Sequence, residues 1–249
     1  MNEKSKAANA LVQSSLGRIL LGLAVLSLTG VTALAQTRPG IAITNDGREV
    51  IATKGQSKFT GADTDSDAGL KTIAGNLSTD KYATYFSWFG SSVFGSGSPF
   101  QYDVWNAIPF TPSADASVTK IEVAVLYLQN TDTHFDLSIY SDTKGLPGKP
   151  IKTFLGNAST EFNGSCCKLV IANDASGIAL KAGTQYWLVV GSNDKTHPAF
   201  FGAWAYNSTD MRTHPFASYC YSTGTQCPSN GWSLWQGGNI LPAYAVLGN

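Results

Sequence analysis

The chain has 249 residues, 43% of them hydrophobic and 14% charged, with 17 Lys and Arg matched by 17 Asp and Glu. That composition is too apolar for a disordered chain, and the lack of a basic excess argues against nucleic acid, whose phosphates demand clustered cations. The length admits one large all-β domain or two small ones, and we favour one.

The first elements are an address. Lys4, Lys6 and Arg18 precede the apolar run Ile19 to Leu28, and Ala33-Leu34-Ala35 supplies the small residues of a secretory cleavage site, so residues 1–35 read as a signal peptide. The competing reading is an uncleaved anchor, but Gly22, Ser27, Thr29 and Gly30 interrupt the run, which falls short of the roughly 20 residues a span needs. Residues 1–35 carry three basic side chains and Glu3, so the remainder has a net charge near −2 and is expected not to cross a membrane. Secretion, to the periplasm, the cell surface or the medium, is the expected fate.

Residues 36–73 are polar and weakly patterned apart from one possible strand at Glu49 to Thr53, and read as a flexible lead. From Lys81 the texture becomes aromatic and strand-like (YATYFSWF), followed by SSVFGSGSPF as a Gly/Ser loop and by VWNAIPFTP, a strand that Pro109 and Pro112 confine to an edge. VTKIEVAVLYL and HFDLSIY, separated by QNTDT, predict a β-hairpin. The following SDTKGLPGKP predicts a type I turn from Asp142 to Gly145 running into a Pro-Gly type II turn. Further strands are expected at Pro150 to Leu155, Cys167 to Ala172, Gln185 to Val190, and in PAFFGAWAYN and PAYAVLG, with Ala182-Gly183 making a turn. Strands at this spacing, with no convincing amphipathic helix, predict an all-β antiparallel sandwich, jelly-roll-like, over residues 74–249.

Residues with chemical potential are few. His134, His197 and His214 show no paired metal-ligand spacing, so no metal is expected. No G-x-S-x-G elbow occurs, and GSGSP at Gly95 to Pro99 reads as a flexible loop. Glu49, Glu122 and Glu161 offer no evident glycosidase pair and read as solvated or edge carboxylates. Asp63, Asp65 and Asp67 alternate like the start of a calcium loop, but Ala68 and Ala74 occupy positions where Gly and Glu are required. No cofactor is called for.

Trp105, Trp187 and Trp204 lie in strand-like runs and read as core, whereas Trp88 fits either role. Trp232 and Trp235 sit in SNGWSLWQGGN, a loop-like stretch. There, with Asn230, Gln236 and Asn239, they either present indole faces to a sugar or cap the end of the core. The four cysteines, in an oxidising compartment, read as disulfides. The short loop YSTGTQ can turn to join Cys220 to Cys227, leaving Cys166 and Cys167 for a strained vicinal bridge. The rival is that each of these pairs with one of Cys220 and Cys227.

The series AIPFTP, VTKIEVAVLYL, LSIYSDTKGLPGKPI, CCKLV, GIALKAGTQYWLVV, GAWAYN and PAYAVLGN, from about residue 74 to 249, resembles the exported bacterial module called the choice-of-anchor R domain. The resemblance implies a β-sandwich joined to varying surface anchors and brings no catalytic residue with it; this chain shows no sorting signal or hydrophobic tail after its last expected strand. The expected function is therefore a non-catalytic, exported module that binds a surface matrix or a neutral glycan. The rivals are a polysaccharide-active enzyme whose carboxylates the sequence does not reveal and a purely structural surface protein.

Overall fold

A computed structural model describes residues 41–43, 49–52, 69–77, 85–128, 131–159, 161–162, 169–192, 195–208, 215–223, 227, 231–235 and 240–249. Residues 1–35, Asp63, Asp65, Asp67, Cys166, Cys167, His214, Asn230, Gln236 and Asn239, and the side chain of Trp88, lie outside that set, and the readings placed on them stay outside it too. The chain is an antiparallel β-sandwich with no helix among the described residues, and hence none long and apolar enough to cross a membrane.

Fifteen strands are described: β1 Ile41–Ile43, β2 Glu49–Ala52, β3 Lys71–Gly75, β4 Tyr85–Phe94, β5 Asp103–Phe110, β6 Ala116–Val123, β7 Val125–Tyr127, β8 His134–Thr143, β9 Leu146–Asn157, β10 Val170–Leu180, β11 Tyr186–Gly191, β12 Phe201–Asn207, β13 Phe216–Tyr221, β14 Gly231–Trp235 and β15 Tyr244–Gly248. The larger sheet runs β14-β13-β5-β11-β8-β9, with a branch from β5 through β4 to β2 and β1 on one side and to β12 and β7 on the other. The smaller sheet has the order β10-β6-β15-β3. Within residues 36–73 the structure places β1, β2 and the start of β3, so the sheets reach N-terminal of residue 74.

The core lies between the sheets. Ile121, Val123, Val170, Leu180, Tyr244 and Val246 from the smaller sheet meet Ile108, Phe135, Leu137, Ile139, Leu188 and Trp204 from the larger. The run YWLVV in β11 is buried on both faces, as an uninterrupted apolar strand demands. Tyr186, Leu188 and Val190 enter the main core, while Trp187 and Val189 point the other way into a small second core with Ala107 and Ala217.

Four expectations are corrected. VTKIEVAVLYL does not pair with HFDLSIY: it breaks at Ala124, with β6 in the smaller sheet and β7 in the larger, and β8 pairs with β9 and β11 instead. The reason is a junction of three alanines. Ala205 N donates to Ala124 O (2.8 Å), Ala243 N to Ala205 O (2.8 Å) and Ala124 N to Ala243 O (3.3 Å), a set of backbone bonds, packed among fully buried alanines, at the point where the strand passes from sheet to sheet.

The β8–β9 turn is centred on Lys144 and Gly145, both at positive φ (56° and 79°). It is thus a two-residue turn of the I′ kind that matches strand twist, and Pro147-Gly148 already belong to β9. SSVF belongs to β4 and not to a loop, and the following glycines form a tight turn: Gly95 N donates to Phe200 O (3.0 Å) and Gly97 N to Pro198 O (2.9 Å). Finally, Glu122 is not a solvated carboxylate, since it is 1% exposed and paired with Lys120 at 3.1 Å.

Candidate functional site

The outer face of the larger sheet, turned away from the smaller one, carries an aromatic cluster. Along a strand alternate residues share a face, and directly paired residues share it across strands. The pairings Trp232↔Tyr219 and Tyr219↔Trp105 therefore put these three rings side by side. Trp105 stacks on Tyr219 (centroids 4.6 Å, planes 27° apart), and Trp232 meets Tyr219 at 5.4 Å, Trp105 at 6.4 Å and Tyr140 of β8 at 6.4 Å.

Trp105, Trp232 and Tyr140 are held from below. Trp105 lies flat against Gly191, where a Cβ would stand 2.7 Å from its ring, and its Nε1 donates to Ser192 Oγ (3.0 Å). Trp232, Tyr140 and Leu146 cover Trp187, which is only 1% exposed. Trp187 Nε1 donates to Asp142 Oδ1 (2.8 Å), which also accepts Gln185 Nε2 (2.7 Å), while Asp142 Oδ2 accepts Gly145 N (3.0 Å). Burial pushes the Asp142 carboxyl up, but these three N–H donors outweigh it and hold the group below its ordinary 3.8. Burial, with Asp136 and Tyr219 nearby, raises Tyr140, so its hydroxyl stays neutral. Tyr221 (45% exposed), Leu234 (38%) and Leu155 (57%) share this face and extend the patch into solvent.

The expected site residues divide accordingly. Trp232 and Trp235 occupy a strand, not a loop, and three residues apart they fall on opposite faces, so they do not form one stacking surface. Trp235 pairs with the buried Phe216, and Trp232 joins the outer cluster. Trp187 and Trp204 are buried as expected, but Trp105 belongs to the outer face and not to the core. The disulfide Cys220–Cys227 is present with Cα atoms 5.6 Å apart, and no free cysteine occurs among the described residues. Sequence reading missed Tyr140 and Tyr219, whose only signal was alternation within strands.

A second cluster escaped the sequence altogether. Asp132, His134 and His197 converge at the start of β8: His134 Nδ1 lies 2.9 Å from Asp132 Oδ1, His197 Nδ1 lies 2.7 Å from Oδ2, and the rings stack at 4.4 Å. Burial pushes the Asp132 carboxyl up, yet the His134 backbone N–H and the two imidazoles bring it down to about 2. The histidines are 63 positions apart, so spacing along the chain could not have shown this.

Compared with known proteins, the chain matches no family model, and no curated protein or solved structure shows significant similarity to it.

Proposed function

We propose that this chain is an exported, non-catalytic β-sandwich module that binds neutral glycan through the outer face of its larger sheet. The observation that carries the reading is the Trp105–Tyr219–Trp232 cluster, whose half-buried rings are fixed from beneath while exposed Tyr221 and Leu234 extend the same face. Pre-positioned aromatic rings stack on the apolar faces of sugars at little cost in side-chain entropy, which is how a modest surface gains affinity. The net charge near −2 outside the signal peptide provides no basic field for strongly acidic polymers, which favours uncharged ligands. The resemblance to exported choice-of-anchor modules supports only the exported β-sandwich part of this reading.

Titration of the oxidised protein with neutral β-glucan, mannan and chitin oligosaccharides, followed by tryptophan fluorescence and calorimetry, tests it. Saturable binding that resists salt and is lost in Trp105→Ala and Trp232→Ala variants that still melt cooperatively is expected. If the parent binds none of these sugars, or if both variants bind as well as the parent, the outer face is a structural cover and the reading fails.

A further inference from the structure

We propose that Asp132, His134 and His197 form a site for a divalent transition-metal ion, zinc above all, with one coordination position left to water or to an oxygen of a ligand. Two imidazoles and one carboxylate are the donor set that suits zinc and its neighbours in the first transition row, whereas calcium and magnesium take oxygen donors almost throughout. One ligand atom from each residue lies within 4.8 Å of the others. A tetrahedral zinc with ligands at 2.0–2.1 Å holds its donors about 3.3 Å apart. The present Nδ1 separations, 2.9 Å to Oδ1 for His134 and 2.7 Å to Oδ2 for His197, run to the two oxygens of one carboxylate, so the ion replaces the shared protons, takes one of those oxygens, and the three side chains shift within their 4.8 Å cluster to reach that spacing.

The backbone beneath the donors is built to hold them. Asp132 Oδ1 accepts the His134 backbone N–H at 2.9 Å, which fixes the carboxylate against its own chain. Thr131 Oγ1, beside it, donates to Leu128 O (2.5 Å) and approaches Phe201 O (3.3 Å), and Asp132 bridges to Phe200. His197 precedes Pro198, which restricts it to extended backbone, and Pro198 O is anchored by Gly97 N. Gly95 packs so tightly beneath this segment that a Cβ there would stand 2.3 Å from Pro198 O. The GSGS turn is thus the footing of the His197 loop, and donors on such a rigid support lose little entropy when an ion arrives. The three side chains remain between 24% and 35% exposed, so an ion has a way in and a fourth ligand has room.

The experiment uses untagged, oxidised full-length protein freed of metal by chelation, titrated calorimetrically with Zn²⁺ and optically with Co²⁺. One ion per chain is expected. His134→Gln and His197→Gln should each weaken it by roughly tenfold or more, while His214→Gln leaves it unchanged. Because a variant can fail by misfolding, the parent supplies a second readout: Zn²⁺ should move the Nδ1 resonances of both imidazoles in ¹⁵N NMR and raise the parent Tm. Absence of stoichiometric binding in the parent, parental affinity in both Gln variants, or Nδ1 resonances unmoved by saturating Zn²⁺ would each overturn the assignment. The cluster would then be a hydrogen-bonded triad only.

Discussion

Replacing Asp142 with alanine removes a single exposed-looking turn carboxylate and should nevertheless be among the costlier substitutions outside the main core. The side chain satisfies three donors at once: Trp187 Nε1, Gln185 Nε2 and Gly145 N. Gln185 and the turn amide can find water, but Trp187 is 1% exposed and its indole N–H would be stranded beneath Trp232 and Tyr140. A hydrogen bond to a charged acceptor contributes about 1.5 to 3 kcal/mol, and a stranded buried donor costs about 1 to 3 kcal/mol, so a loss of about 2 to 4 kcal/mol is expected. In a domain of this size that lowers Tm by about 4 to 16 °C. Asp142→Asn, which keeps an acceptor for the indole but presents an amide toward Gly145 N, should lose about 1 kcal/mol.

Urea unfolding of the oxidised protein, followed by tryptophan fluorescence, measures both. Its pH dependence gives an independent check. Because the folded-state carboxyl lies below its unfolded value near 3.8, its contribution is complete above that pH and disappears as pH falls through the folded value. The Ala variant should therefore lose stability less steeply than the parent on acidification below about pH 4. An Asp142→Ala protein within about 0.5 kcal/mol of the parent would refute the argument that this carboxylate holds the floor of the aromatic face.

Gly191→Ala should push Trp105 off the sheet, since the new Cβ meets its ring at 2.7 Å; a loss of about 1 to 3 kcal/mol is expected in thermal unfolding, with glycan binding abolished under the proposed function. Reducing Cys220–Cys227, which spans 7 positions, should cost about 2 kcal/mol, read as the shift in urea midpoint between oxidised protein and the Cys220→Ser/Cys227→Ser double variant. Glu122→Ala removes a 1% exposed carboxylate that pairs with Lys120 at 3.1 Å, and calorimetric Tm should fall below that of the parent.

The sequence exposed its strands where patterning was strong and failed where tertiary packing decided. β11 was readable because YWLVV is a continuous apolar run that no exposed strand tolerates. The Cys220–Cys227 bridge was readable because a short Gly-containing loop limits the distance its ends can reach. The sheet switch at Ala124 was not, since alanine fits either face of a strand and the two alanines that receive it lie 81 and 119 residues further on. Nor was β14, because GWSLW alternates properly but is flanked by the Gly and Asn of loops. The apolar neighbours of Trp105 suggest the core, and only Gly191 and Tyr219 on the two adjacent strands reveal that it lies on the outer face. The His134–His197 pair shows the same limit: convergence of a strand's first residue with a residue 63 positions further on leaves no local mark.

The smaller sheet has an order of assembly written into it. β15, at Tyr244–Gly248, lies between β6 and β3, and β3, at Lys71–Gly75, has no other partner among the described strands. A chain synthesised N-terminus first thus carries β3 unpaired, and β6 with one open edge, until nearly all of it has been made. Pairings of such long sequence separation form slowly, so the smaller sheet is completed late in folding. Closure then depends on a narrow slot: at Gly248 a Cβ would stand 2.0 Å from Ser117 O, so the last strand is admitted only with a bare backbone at that point.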